Sequence, residues 1–192
     1  MLEDWEEIYS ADTFRDKNEY PSEEIVSFIM RNYGASDYKE LIHVLDMGCG
    51  WGNNLKFLKD KGFFGVGIDI SKTAIQHCKS SGYNASVCDF SKLTFSDNSF
   101  DIVIDRQAIQ HNTTENIIKT LNEVRRVLKK GGVFFSIMVS KANYDVDTTY
   151  TTEKIAQKLL TGFKIISIDK QSKTFDNQKI INESLIIHAQ KI

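Results

Sequence analysis

Hydrophobic residues along the chain fall into two alternating patterns, and each pattern predicts one kind of secondary structure. Short, nearly continuous apolar runs are typical of strands that are covered on both faces of a parallel sheet. They predict five strands, at His43–Asp46, Phe64–Asp69, Ala85–Cys88, Asp101–Asp105 and Val133–Val139. Two more predicted strands follow one another with no helix between them, at Phe163–Asp169 and Ser184–Gln190.

Apolar residues three or four positions apart predict helices between these strands. The first helix opens at Pro21, carries its apolar face on Ile25, Phe28 and Ile29, and ends at Gly34. Proline suits a first helical turn, and glycine commonly follows a last one. The other helices are predicted over 52–61, from Ser71 through about Lys79, over 114–130 and over 152–161.

The alternation of strands and helices predicts the fold class. Helices between consecutive strands cover both faces of a sheet, so we expect an α/β fold with a Rossmann-like, doubly wound sheet of about seven strands. The sheet should be mostly parallel, and the hairpin formed by the last two strands should add one antiparallel strand at its edge. A length of 192 residues suits one hydrophobic core, so we expect a single domain over 1–192.

The charge balance indicates which partners to expect. Charged residues make up 26% of the chain and the formal net charge is −2. Such a balance gives no electrostatic footprint for nucleic acid or for an anionic membrane. The basic pairs Arg125–Arg126 and Lys129–Lys130 fall on a predicted helix, and we interpret them as solvent-facing. No apolar run approaches the roughly 18–20 residues that a membrane span needs.

Cysteine usage bears on metal binding and on the compartment. Cys49, Cys78 and Cys88 form neither a CxxC pair nor a Cys/His cluster with the spacing of metal ligands, so no metal site is expected. A scattered, odd set of cysteines is typical of a reducing compartment. The first residues are acidic and aromatic and lack the pattern of a signal peptide, so we expect a cytoplasmic protein.

The first predicted strand runs into a glycine-rich turn, with the sequence VLDMGCGWG over 44–52. In open α/β sheets, ligands bind beyond the carboxyl ends of the strands, and glycines let the backbone approach a ligand closely. The spacing here is GxGxG, whereas dinucleotide-binding folds favour GxGxxG, which argues against a nicotinamide-dependent dehydrogenase. An ordinary turn between strand and helix is the alternative interpretation.

Two carboxylates accompany this turn. Asp46 lies two residues before the first glycine, where it would repel a pyrophosphate but attract a cationic amino group. Asp69 ends the second predicted strand, where a carboxylate can accept hydrogen bonds from the two hydroxyls of a ribose. The alternative for Asp69 is a cap on the next helix, although Ser71 already suits that position.

These residues resemble a known family. DMGCGWGNN followed by GVGIDIS is similar to the first two motifs of the class I S-adenosylmethionine-dependent methyltransferases. Cys88-Asp89-Phe90 and then Phe100–Asp105 resemble the third and fourth motifs, and Asn122–Ile137 resembles the helix and glycine turn before the fifth strand. The resemblance covers roughly residues 41–140. It implies a cofactor-binding core there, with an N-terminal helical lid or cap over 1–40 and a C-terminal helix and strand hairpin over 141–192.

The resemblance also implies a role for each matched residue. Asp46 would hold the turn and the amino group of the cofactor, and Asp69 would bind its ribose. The other implied cofactor contacts are the turn residues Met47, Gly48, Cys49 and Gly50, the adenine neighbours Ile70, Asp89 and Phe90, and Asp105 beside the sulfonium. Turn chemistry for Asp89 and core packing for Phe90 are the alternatives.

The segment Asp105–Asn112 follows the fourth strand, where members of this family meet their substrates. It supplies the candidate catalytic residues Asp105, Arg106 and His111. A guanidinium binds a carboxylate or phosphate bidentately, and an imidazole takes up a proton near neutral pH. The alternatives are an ion pair of Arg106 with Asp105 or Asp69, and a structural role for His111 at the start of a helix.

The function implied is transfer of a methyl group from S-adenosylmethionine to a small-molecule acceptor, by O- or N-methylation, with S-adenosylhomocysteine as the product. Neither nucleic acid nor membrane is an expected partner, and monomer and homodimer both stay open. Trp5, Tyr9 and the loop Asn143–Tyr150 are expected to close over the site, or else the N-terminal residues pack against the sheet. A catalytically inactive module that binds a nucleoside or a protein partner is the alternative function.

Overall fold

The computed structural model describes residues 5–11, 20–142, 153–175 and 180–192. Its helices are α1 (Trp5–Ser10), α2 (Glu23–Tyr33), α3 (Asn53–Asp60), α4 (Lys72–Ser80), α5 (Thr114–Val127) and α6 (Glu153–Leu159). Its strands are β1 (His43–Met47), β2 (Phe64–Asp69), β3 (Ala85–Val87), β4 (Phe100–Arg106), β5 (Leu128–Ala142), β6 (Phe163–Phe175) and β7 (Ile180–Lys191). Short 3-10 helices lie at Lys39–Leu41 and Ile109–His111.

The strands form one seven-stranded sheet in the order β3-β2-β1-β4-β5-β7-β6. The pairs among the first five strands of that order are parallel, and β7 runs antiparallel to both β5 and β6. The expected mostly parallel α/β sheet is therefore confirmed, and its antiparallel strand lies one position in from the edge. The strand order reverses between β1 and β4, and an open sheet binds its ligands at such a switch point.

Capping side chains set the starts of three helices. The hydroxyl oxygens of Ser22, Ser71 and Thr113 each accept a hydrogen bond from the backbone amide three residues further along. An N-cap hydroxyl satisfies one of the amides that have no partner within the helix. Helix α2 consequently begins at Glu23, after its cap, rather than at Pro21.

The prediction of a long helix over 114–130 is wrong about where the helix ends. Helix α5 ends at Val127, because Leu128 is already extended and pairs with Phe100 on β4. Pairing then resumes between Val133 and Ile102, and the irregular stretch contains Gly131 at φ 76. Helical periodicity continues past the true end of the helix because Leu128 is a buried apolar residue four positions after Val124.

Both faces of the sheet are buried. On one face, α5 and α6 cover a large cluster that includes Leu45, Val103 and Phe134. On the other face, α2 packs against β4 and β5, and the ring of Phe28 stacks on that of Phe135 with the centroids 4.2 Å apart. Burial on both faces explains why the strands read as continuous apolar runs. Among the residues that the structure describes, no helix combines the length and apolar character that crossing a membrane requires.

Candidate active site

A cavity of about 760 Å³ opens at the carboxyl ends of β1, β2 and β4, at the switch point of the sheet. Pockets that bind small molecules or cofactors typically measure about 300–1,000 Å³. Nine of the residues predicted from the sequence line this cavity: Gly48, Cys49, Gly50, Asp69, Ile70, Asp89, Phe90, Arg106 and His111. Three others, Asp46, Met47 and Asp105, are buried behind its wall, each at most 1% exposed.

The glycine turn forms one wall of the cavity with its backbone. The amides of Gly48 and Cys49 both donate to the carbonyl of Ile68 at the end of β2, at 2.8 and 2.9 Å. Gly48 lies at φ 68, a region that residues with a side chain rarely adopt. A Cβ on Gly48 would also collide with the Cβ of Ala108. The turn therefore requires glycine at position 48 for both its conformation and its close packing.

Asp69 connects the glycine turn to the start of α4. One carboxylate oxygen accepts a hydrogen bond from the amide of Gly50 at 3.0 Å, and the other accepts one from the amide of Ser71 at 2.9 Å. A carboxylate has about four acceptor positions, so Asp69 can accept further donors from the cavity that it lines. Burial raises its pKa above the ordinary value. The alternative role of Asp69 was a cap on the next helix. Asp69 does accept the amide of Ser71, but the side chain that caps α4 is that of Ser71.

Asp46 and Asn54 lie next to each other behind the turn. The Asn54 amide donates to one oxygen of Asp46 at 3.1 Å. The second oxygen of Asp46 and the side-chain oxygen of Asn54 are buried and have no hydrogen-bond donor among the described residues. Burial raises the pKa of Asp46 to about 7. Two acceptors without donors fit a cationic amino group, and Asn54 itself lines the cavity.

Beyond the ends of β2 and β3, exposed and half-buried side chains of the cavity wall offer a site for a flat ring. The side chain of Ile70 is 55% exposed, and Phe90 is half-buried against the core below it. Asp89 is exposed and also accepts a hydrogen bond from the amide of Ser91 at 2.8 Å. Asp89 thus makes the alternative turn contact and Phe90 packs on the core, and both residues also line the cavity.

Asp105 faces away from the cavity, into the protein. Its carboxylate accepts hydrogen bonds from the amides of Ala108 and Ile109 and, at 2.6 Å, from the hydroxyl of Ser136 on β5. Burial raises its pKa. With no exposed surface, Asp105 holds the loop that follows β4 in place. These contacts give Asp105 a positioning role in the loop, and its contact with the cofactor or the acceptor stays a prediction.

Arg106 and His111 both line the cavity on this loop. Arg106 is exposed and forms no salt bridge with another described residue, so the alternative of an ion pair with Asp105 or Asp69 is not observed. The backbone amide of His111 donates to the carbonyl of Ala108 at 3.2 Å. The imidazole of His111 meets the indole of Trp5 edge-on, with the ring centroids 4.8 Å apart.

Helix α1 covers the cavity with Trp5, Glu6 and Tyr9. The rings of Tyr9 and Trp51 are nearly perpendicular, with their centroids 5.2 Å apart, and burial raises the pKa of Tyr9. Helix α1 contacts α4 and buries none of its residues fully, which supports the expected cover and not the alternative of packing on the sheet. The loop Asn143–Tyr150, which was also expected to close over the site, lies outside the described residues.

Sequence reasoning missed Glu6 and Asn54. The Glu6 carboxylate accepts hydrogen bonds from the hydroxyl of Ser71 and from the amide and hydroxyl of Thr73, at 2.7 to 3.2 Å. No local pattern marks that contact, because the partners are more than 60 residues apart. A signal for Asn54 was present in the sequence, because it is a polar residue on the buried side of a predicted helix.

Comparison with known proteins finds a similarity to methyltransferases. A family model described as a methyltransferase domain matches residues 45–136. An uncharacterised protein of Methanocaldococcus jannaschii is 30% identical over 151 residues, which cover 74% of this chain and 63% of that protein. A tRNA (carboxymethyluridine(34)-5-O)-methyltransferase of Xenopus tropicalis is 38% identical over 90 residues, 46% of this chain and 14% of that protein.

The chain thus spans under two thirds of the length of these two relatives. Among solved structures, a protein of Methanosarcina mazei described as an S-adenosylmethionine-dependent methyltransferase shares the fold. It has a TM-score of 0.66 and 24% identity, and the match covers 78% of this chain and 92% of that one. The glycine turn, the carboxylate that ends β2 and the matched domain agree: residues 45–136 match a methyltransferase domain, and the chain shares the fold of an S-adenosylmethionine-dependent methyltransferase.

Proposed function

We propose that this domain transfers a methyl group from S-adenosylmethionine to a small-molecule acceptor, at an oxygen or nitrogen atom. The observation that carries the proposal is the cavity at the switch point, which joins a glycine turn to the carboxylate of Asp69. Cover by α1 adds to it, since an enclosed site keeps water away from a reactive donor.

The residues present fit this cofactor. Asp69 has acceptor positions left for ribose hydroxyls, and Ile70 and Phe90 offer apolar surface to adenine. The acceptor oxygens of Asp46 and Asn54 that lack a donor suit an ammonium group, which has three donors. Bound S-adenosylmethionine supplies an electrophilic methyl group on its sulfonium.

The protein's contribution to the reaction is to hold the acceptor in line with that methyl group. Positioning of two reactants contributes about 7–11 kcal/mol to lowering a barrier. His111 accepts the proton of an acceptor hydroxyl or ammonium, for which a base is needed at neutral pH. Asp105 and Ser136 fix the loop that carries His111, so that the imidazole keeps one place at the cavity.

A small acceptor is favoured over a polymer by the cover and by the charge of the chain. Trp5, Glu6 and Tyr9 lie across the cavity, and a formal net charge of −2 does not attract a nucleic acid backbone. The Xenopus relative is described as a tRNA methyltransferase, so tRNA is the polymer against which the proposal has to be tested.

The test has a binding step and a transfer step. Isothermal titration measures the affinity for S-adenosylmethionine, and loss of binding would defeat the cofactor assignment. Methyl-labelled cofactor is then incubated with a desalted metabolite extract and, separately, with total tRNA. Label in the small-molecule fraction supports the proposal, whereas label only in tRNA refutes the acceptor class. Tight binding with no transfer to either would favour the non-catalytic module.

A further inference from the structure

The two ends of the cavity carry opposite charge. Asp69 and Asp89 line it at the ends of β2 and β3, and Glu6 lies above them on α1. Arg106 lines it at the end of β4, on the other side of β1 in the strand order. Among the described residues that line the cavity, Arg106 alone carries a permanent positive charge.

The guanidinium of Arg106 is available to a ligand. Its neighbour Asp105 turns inward and is occupied by Ser136 and two backbone amides. Arg126, by contrast, has a structural role: its guanidinium donates to the carboxylates of Glu123 and Asp97 and to two backbone carbonyls. Arg106 forms no such hydrogen bond or salt bridge among the described residues, although its charge partly offsets the rise in the pKa of Asp46, and it is an exposed residue that lines the cavity.

The backbone that carries Arg106 is fixed on both sides. The amide of Gln107 donates to the carbonyl of Ile137 at 2.8 Å, and Gln107 adopts φ 58. Further along, the side-chain oxygen of Gln110 accepts the amide of Val139, so the short 3-10 helix is tied to β5. A cation held on a fixed backbone binds an anion with a smaller entropic cost than one on a mobile loop.

The opposite wall at this end is aromatic. The indole of Trp5 lies against His111 in the cavity wall, so an acceptor bound here meets aromatic surface as well as the guanidinium. We propose that the acceptor is a small organic acid, whose carboxylate or phosphate pairs with Arg106 while its body lies against Trp5 near His111. This inference rests on the proposed function and names the substrate class of the same site.

The test compares wild-type protein with Arg106→Gln, Arg106→Lys and the control Arg31→Gln. Arg31 is an exposed arginine of α2 that does not line the cavity. Isothermal titration with S-adenosylhomocysteine measures the cofactor site. Methyl-labelled cofactor is then incubated with desalted metabolite extract, and the labelled products are separated on an anion exchanger, with RNA and protein collected separately.

We expect the labelled product of the wild type to bind the anion exchanger. Arg106→Gln should lower its yield at limiting extract at least tenfold, while the affinity for S-adenosylhomocysteine stays within twofold. Arg106→Lys should retain part of the activity, because a lysine offers the charge without the bidentate fork. Arg31→Gln should match the wild type.

Three results would overturn the inference. A neutral or cationic labelled product, or label in RNA or protein, would show that the acceptor is not a small acid. A tenfold loss of S-adenosylhomocysteine affinity in Arg106→Gln would assign Arg106 to the carboxylate of the cofactor itself. Absence of any labelled product from the wild type would defeat the proposed transfer as well, whereas a neutral product defeats this inference alone.

Discussion

The carboxylate of Glu6 accepts hydrogen bonds from both the backbone amide and the hydroxyl of Thr73, at 3.2 and 2.7 Å. This contact joins α1 to the first turn of α4, immediately beyond the residues proposed to hold the adenosine. An acidic side chain near a helix N-terminus interacts favourably with the free amides and the dipole there. These hydrogen bonds lower the pKa of Glu6 to about 2, so the contact persists throughout the usual range of assay pH.

Thr73→Val should speed release of S-adenosylhomocysteine several-fold, because it removes one of the hydrogen bonds that hold α1 over the cavity. The free energy of unfolding should fall by about 0.5–1.5 kcal/mol, the usual net contribution of one hydrogen bond. Trp5 and Trp51, the two tryptophans of the chain, both line the cavity, so stopped-flow fluorescence follows release without a label. Thr161→Val, which lies outside the cavity lining, is the control; an unchanged release rate in Thr73→Val would speak against α1 as a cover.

Asp69→Ala should weaken S-adenosylmethionine binding at least tenfold, which corresponds to about 1.4 kcal/mol. The side chain both offers acceptors to the cavity and holds the amide of Gly50, so its loss removes a ligand contact and loosens the turn. Isothermal titration provides the measurement. Asp60→Ala removes an exposed carboxylate on α3 and should bind normally. Equal affinities for the two variants would defeat the ribose assignment.

Gly48→Ala should abolish cofactor binding, because its Cβ would collide with Ala108 and the residue has a positive φ. Gly62→Ala separates these causes, since Gly62 has φ 85 but no atom within 4 Å of an added Cβ. The left-handed conformation costs a residue with a side chain roughly 1–2 kcal/mol. Gly62→Ala should therefore lose that stability and still bind the cofactor. Normal binding by folded Gly48→Ala would contradict the close-packing argument.

Asp46 should make the protein less stable as the pH rises toward neutrality. Burial raises its pKa in the folded state from 3.8 to about 7, so between these values the folded protein binds more protons than the unfolded chain. The free energy of unfolding then falls with increasing pH, by at most about 1.4 kcal/mol per unit for one group. Asp69 and Asp105, whose pKa values are also raised by burial, act in the same direction.

Urea unfolding at pH 5, 6, 7 and 8 in the absence of cofactor measures this slope. Asp46→Asn should unfold with a shallower dependence on pH than the wild type over that window, because the substituted side chain does not titrate. Parallel curves for the two proteins would show that Asp46 is ionised throughout the range.

His111→Ala should lower kcat while the dissociation constant for S-adenosylhomocysteine stays within twofold. The imidazole lines the cavity on the loop after β4, whereas the residues proposed to hold the cofactor follow β1, β2 and β3. His43→Ala is the control, because His43 begins β1 at the opposite end of that strand. Unchanged turnover of His111→Ala under saturating acceptor would return His111 to a structural role.

The order of residues along the chain is enough to predict the features of this protein that are periodic or local. Strand and helix positions follow from periodic burial, and Ser71 was identifiable as a cap from its place before a helix. The glycine turn and Asp69 were identifiable because both lie where a predicted strand ends, and parallel strands bring their carboxyl ends to one edge of the sheet.

Which side chains face the cavity depends on contacts between distant parts of the chain. The inward turn of Asp105 depends on Ser136, and the cover over the site depends on Glu6 reaching Thr73. Each contact joins residues more than 30 positions apart, and a single strong hydrogen bond between distant residues produces no periodic pattern. The position of β7 between β5 and β6 likewise depends on long-range pairing. The backbone polar groups along β5 need hydrogen-bond partners, because an unpaired backbone group is costly to bury.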